Sequence, residues 1–100
     1  MRTILVRYKT SEARAAENEA LVHGVFDELR SRAPAGLRYA TYRLADGVSF
    51  VHIATVESAA ENPLTSLPAF QAFQRQIKDR CVEPPIVTEL SVVDSYGGAG

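Results

Sequence analysis

The side chain in this sequence best suited to moving a proton is His52, which lies in a β-prone run, Ser49 to Val56. A second such run just before it carries Tyr39, Thr41, Tyr42 and Arg43. A histidine near its ordinary pKa of about 6.5 accepts a proton from an acidic phenol or enol, and general-base help of this kind gives about 10²–10⁴ in rate. Tyr39 or Tyr42 could donate to the oxyanion that results, and Arg43 could hold its charge. His52, Tyr39 and Arg43 are therefore the candidate catalytic residues, with Tyr42 a candidate ligand contact. Each has a plainer alternative. His52 could be a core or interface histidine satisfied by Thr41 or by a backbone carbonyl, and Tyr8, Tyr39, Tyr42 and Tyr96 could be packing residues with satisfied hydroxyls.

Other chemistries lack their residues. No glycine-rich loop follows a strand, so phosphates and dinucleotides have no cradle. Ser49 faces away from His52 on its own strand, so the two form no nucleophile and base pair. Two histidines far apart, without a carboxylate at ligand spacing, make no transition-metal site, and no cofactor is expected. His23 sits among charged helix neighbours and belongs in solvent. Cys81 reads as an inert buried thiol, with redox sensitivity as the alternative.

The element that must position His52 is a hairpin. Asp46-Gly47 between two β-prone runs predicts a type I′ turn, which needs positive φ at both central residues. That turn sets Ala45 opposite Val48, and with it Tyr39 opposite Ala54, Thr41 opposite His52 and Arg43 opposite Phe50. Leu37, Tyr39, Thr41, Arg43, Phe50, His52, Ala54 and Val56 then share one face. Arg38, Ala40, Tyr42, Leu44, Ser49, Val51, Ile53 and Thr55 share the other, so neither face reads as plain solvent.

Around the hairpin, Arg2 to Lys9 alternates as a strand with Ile4, Val6 and Tyr8 on one side. Thr10 or Ser11 can cap a helix running to about Arg32, with Leu21, Val22, Val25, Phe26 and Leu29 inward and Arg14, Glu17, Asn18, Asp27 and Glu28 outward. Gly24 inside it implies close approach of another backbone or simple tolerance. Pro34-Ala35-Gly36 ends the helix. Glu57 to Thr65 reads as a loop or a single helical turn. A second helix opens at Ser66 to Pro68 and carries Leu67, Phe70, Phe73, Ile77 and Cys81 on one stripe. Pro84-Pro85 forces extended geometry. The last strand runs from Ile86 to about Tyr96, and Gly97 to Gly100 is expected to be a flexible tail.

The order is βαββαβ, a single ferredoxin-like domain over residues 1–96: an α+β fold with a four-stranded antiparallel sheet in the order 4-1-3-2 and two helices on one face. The other face would remain apolar, which predicts a homodimer formed through it. At 100 residues, 46% hydrophobic, 23% charged and net charge −1, the chain is an ordinary globular protein with no electrostatic footprint for nucleic acid or an anionic membrane. One cysteine and no apolar segment of spanning length predict a cytoplasmic protein.

Leu37-Arg38-Tyr39-Ala40, Tyr42-Arg43-Leu44, Asp46-Gly47-Val48 and Phe50-Val51-His52-Ile53, followed by Pro63-Leu64 and Leu67-Pro68-Ala69-Phe70-Gln71-Ala72-Phe73, resemble the dimeric α+β barrel superfamily. More closely, the chain resembles small antibiotic-biosynthesis-monooxygenase-like bacterial proteins. The resemblance implies a dimeric barrel and, in each subunit, a cleft between sheet and helices that Phe70 and Phe73 would roof for a flat apolar ligand. Three readings stand: a cofactor-independent monooxygenase, or related proton-transfer catalyst, with a cleft for a small aromatic or quinone-type molecule; a non-catalytic ligand-binding or stress-associated dimer; or a structural or interaction module whose sheet mainly makes the dimer. Haem-degrading members of the superfamily carry a Trp and an iron-ligating His in the second-helix region. This chain has no Trp and no His there, so haem chemistry is not expected. A cleft reaching free ring nitrogens of His52 would favour the first two readings, and a filled, dry surround the third.

Overall fold

A computed structural model describes residues 1–57 and 62–97. β1 (Arg2–Thr10) leads through a 3-10 turn (Glu12–Arg14) into α1 (Ala15–Arg32), then β2 (Leu37–Arg43) and β3 (Ser49–Val56). A second 3-10 turn (Pro63–Ser66), α2 (Pro68–Arg75), a short α3 (Ile77–Arg80) and β4 (Cys81–Leu90) follow. The sheet is antiparallel in the order β2-β3-β1-β4, which is the expected ferredoxin-like topology.

The hairpin register is the expected one, with Thr41 opposite His52 and Arg43 opposite Phe50. Its turn is not type I′. Only Gly47 has positive φ, at 76°, and the Asp46 carboxylate accepts from the Val48 and Ser49 amides and from the Ser49 hydroxyl. Those three bonds hold the Asp46 carboxyl down to about 2. The aspartate shapes the turn through its side chain rather than through a left-handed backbone, and a Leu44–Ser49 pair preserves the register.

α1 buries Ala15, Asn18, Val22 and Val25. It ends where Ala33 turns left-handed at φ 44° and its amide reaches the Leu29 carbonyl, just ahead of Pro34. Neither Thr10 nor Ser11 caps it through a side chain: Thr10 ends β1, and the Ser11 carbonyl accepts from the Arg14 amide. Gly24 has open space around it, so its place in the helix is tolerance, not close approach. Asn62 begins the 3-10 turn by accepting from the Leu64 amide, and residues 58–61 of the expected loop lie outside the described residues.

The second helix is shorter than its stripe suggested. The Phe73 carbonyl, which an unbroken helix would offer to the Ile77 amide, accepts from Arg80 Nη2 at 2.6 Å. The chain breaks at Gln76 and resumes as α3. Cys81 therefore stands at the start of β4, half-buried, with its thiol pushed up by burial.

β4 begins five residues before the expected Ile86 and stops at Leu90. Between the pairs Lys9–Glu83 and Arg7–Ile86, Pro84 and Pro85 lie opposite Tyr8 alone. This bulge on an edge strand is where a residue without an N–H is tolerated. Leu90 pairs with Thr3, after which β1 has almost no backbone left to pair. Val92, Val93 and Tyr96 consequently lie outside the sheet and exposed. The expected tail residues Gly98 to Gly100 lie outside the described residues.

Both helices cover the face that carries Ile4, Val6, Tyr8, Phe50, His52 and Ala54, and the core is Tyr8, Val22, Val25, Phe50, Leu64, Leu67 and Phe73 with neighbours. The opposite face presents Leu5, Ala40, Tyr42, Val51, Ile53 and Ile86 with no helix over it among the described residues. Tyr42 there is 55% exposed and Ile86 66%.

Candidate functional site

Between the sheet and α2 lies a cavity of about 240 Å³. Ile4, Val6, Tyr8, Tyr39, His52 and Ala54 floor it from the sheet, Pro85 and Val87 bound it from β4, and Leu64, Phe70, Phe73 and Ile77 close it from the helical side. Asn62, Thr65 and Gln74 add polar groups, and among the described residues no charged side chain lines it. The stripe of α2 and the inward face of β3 converge here because strand alternation sends every second β3 residue toward the helices.

His52 is 5% exposed, and both its ring nitrogens are bonded. Tyr8 Oη lies 2.7 Å from Nε2, while Tyr39 Oη and Thr41 Oγ1 lie 2.6 and 3.0 Å from Nδ1. Tyr8 Oη also accepts from Asn18 Nδ2 at 2.8 Å, and Asn18 Oδ1 accepts from Arg80 Nε at 3.0 Å. Burial pushes the His52 pKa down to about 4 and the Tyr39 hydroxyl up to about 12, and it raises that of Tyr8 further. The expectation of a histidine titrating near 6.5 is thus corrected: at neutral pH His52 is a neutral imidazole. The surround of His52 is neither of the two foreseen, since a cavity reaches the ring while both nitrogens are occupied.

The structure brings His52, Tyr39, Phe70 and Phe73 together around one space. It places Arg43 elsewhere: the guanidinium bonds the Gly47 carbonyl, pairs with Glu19 at 3.0 Å and lies over Phe50, outside the lining. Tyr42 points to the helix-free face, as its place in the hairpin alternation requires, and is also outside the cavity.

Sequence reasoning missed Asn18 and Arg80, which are 0% and 1% exposed. Asn18 was expected in solvent, yet it lies four and seven residues before Val22 and Val25, on the same buried stripe. That spacing could have found it. Arg80 likewise follows Phe73 and Ile77 at helical spacing, but nothing in its residue type signals burial. Among the described residues, no group of three or more His, Cys, Asp or Glu could hold a metal, and no helix is long and apolar enough to cross a membrane.

The sheet with helices on one face, over an apolar cavity, is a ferredoxin-like α+β fold, and solved structures of antibiotic-biosynthesis-monooxygenase-like proteins share that fold. Rv0793 from Mycobacterium tuberculosis superposes with a TM-score of 0.76 at 23% identity, over 96% of this chain and 98% of that one. An antibiotic biosynthesis monooxygenase matches with TM-score 0.78 at 14% identity, over 94% of this chain and all of the other. A point mutant of SnoaB, a cofactor-independent oxygenase from Streptomyces nogalater, matches with TM-score 0.68 at 16% identity, over 94% of each chain. At these identities the likeness is one of fold. No family model and no curated protein matches the sequence.

Proposed function

We propose that this chain binds a small flat aromatic or quinone-type molecule in the cavity between sheet and helices and oxygenates it without a cofactor, as a homodimer joined through the helix-free sheet face. The observation that carries this reading is an apolar cavity of about 240 Å³ lined by Tyr39 and His52, whose side chains are hydrogen-bonded to each other. That volume lies just below the roughly 300 Å³ at which ligand pockets usually begin, which suits a two-ring molecule. A neighbour in fold, SnoaB, is a cofactor-independent oxygenase, which supports the reaction class.

In such a reaction the substrate supplies all the electrons. For a two-ring example, 1,5-dihydroxynaphthalene + O₂ gives 5-hydroxy-1,4-naphthoquinone + H₂O, one oxygen atom entering the ring and the other leaving as water. The substrate reacts as its naphtholate, having given its proton to solvent on entering, and the protein must hold that oxygen and exclude bulk water. Protonating His52 at pH 7 against a pKa of about 4 costs about 4 kcal/mol, so stabilisation by Tyr39 as donor, rather than proton abstraction by His52, is the main contribution. The same low pKa favours the second reading, a protein that binds such molecules without turning them over.

The test is quinone formation from 1,5-dihydroxynaphthalene under ¹⁸O₂. The oxygenase reading expects a rate above the protein-free blank, one ¹⁸O atom in the product and at least a tenfold loss in Tyr39→Phe. Binding with no rate above the blank would leave the non-catalytic reading in its place.

A further inference from the structure

We propose that Arg80, Asn18, Tyr8, His52 and Tyr39 form a one-way hydrogen-bond relay that locks His52 as the Nδ1–H tautomer and turns the Tyr39 proton into the cavity, so that the site selects a ligand presenting a carbonyl oxygen. The ligand half of this inference rests on the aromatic-binding reading above, and the relay half does not.

The direction follows from what each group can do. A guanidinium only donates, so the Asn18 atom 3.0 Å from Arg80 Nε is the carbonyl oxygen. The Asn18 NH₂ then faces Tyr8 Oη at 2.8 Å and donates to it. Tyr8 is 2% exposed, and its hydroxyl has only Asn18 and His52 as side-chain partners among the described residues. With its oxygen accepting from Asn18, its proton goes to His52 Nε2 at 2.7 Å. Nε2 is then an acceptor, so the ring proton is on Nδ1 and donates to Tyr39 Oη at 2.6 Å, with Thr41 Oγ1 beside it at 3.0 Å. The opposite tautomer would strand the Tyr8 proton in a buried site and set two hydroxyls on one Nδ1 lone pair, at the cost of an unmade buried hydrogen bond.

Tyr39 closes the relay. Its oxygen accepts from His52 Nδ1 at 2.6 Å. Its own proton is left for the cavity it lines. The Arg80 charge anchors the far end: it is 1% exposed, takes part in none of the ion pairs among the described residues, and is held by the Phe73 carbonyl and the Phe73 ring. A fixed positive charge at one end of a polar chain in low dielectric orients every dipole along it away from that charge. Asn18 and Arg80 are thus positioning residues, acting on the ligand through Tyr8, His52 and Tyr39.

The tautomer can be read directly. The chain has two histidines, one of them exposed, so ¹⁵N shifts of the imidazole nitrogens report His52 without ambiguity. The wild-type protein at pH 7 should show His52 protonated at Nδ1. Asn18→Asp can no longer donate to Tyr8, pairs with Arg80 and should invert the chain to the Nε2–H form. In parallel, 1,4-naphthoquinone should bind the wild type at least tenfold more tightly than naphthalene, an advantage that Asn18→Asp and Tyr39→Phe should both lose. An Nε2–H tautomer in the wild type overturns the relay whatever binds, and needs no variant to fold. An Nδ1–H tautomer without preference for the quinone overturns the carbonyl assignment and leaves the relay standing. Failure of both aromatics to bind removes the aromatic-binding reading itself.

Discussion

His52 shows how burial decides what a side chain can do. Its residue type suggests a base, but a ring 5% exposed with three hydroxyls on its nitrogens has its pKa pushed down to about 4, because desolvation penalises the imidazolium. The same shift makes a stability prediction. In the unfolded chain His52 takes a proton near pH 6.5; in the folded chain it does so only near 4. Its neutral burial therefore contributes fully above about 6.5, and that contribution is lost as pH falls through the window to about 4, a difference of about 3 kcal/mol. Urea midpoints measured from pH 7.5 down to 4.5 should fall across that window in the wild type and stay nearly flat in His52→Asn, which is weaker throughout. A flat wild-type profile would show that His52 is not buried neutral. The positions of Asn18 and Arg80 were legible only through helical spacing. Their roles were not, because a lone asparagine and a lone arginine acquire meaning from partners 10 and 62 residues away.

At the level of elements, strands and register were the most legible part, because period-two alternation and a turn signal specify them locally. The register survives a change of turn type, since Asp46 supplies through its carboxylate the closure expected from a left-handed backbone. Helix ends were less legible. At the break at Gln76 the Arg80 guanidinium occupies the Phe73 carbonyl, a contact that no local rule anticipates. The early start of β4 has a similar origin: Pro84 and Pro85 end helices in isolation, yet here they sit in a bulge opposite Tyr8, in a strand already under way. The alternation after Leu90 continues in the sequence, but β1 has run out, so a strand pattern without a partner strand makes no strand.

For the whole molecule, one sheet face is occupied by helices and a cavity, while the other, which no helix covers among the described residues, carries Leu5, Val51 and Ile53 half-buried and Tyr42 and Ile86 exposed. Single exposed apolar residues are ordinary, but a contiguous set across four strands is the kind of surface that a second subunit covers. Sedimentation at micromolar concentration should give one species of about twice 10.9 kDa. Ile53→Glu should shift it toward monomer, and a monomeric wild type would refute assembly through this face.

Whether the space beneath α2 takes a flat aromatic or quinone-type molecule is decided by titrating the ¹⁵N-labelled protein with 1,4-naphthoquinone and mapping the amide shifts. Saturable shifts should centre on Val6, Tyr39, His52, Ala54 and Phe73, with Val51 and Ile53 unmoved. Shifts centred on Val51 and Ile53, or no saturable shift at all, would contradict binding there.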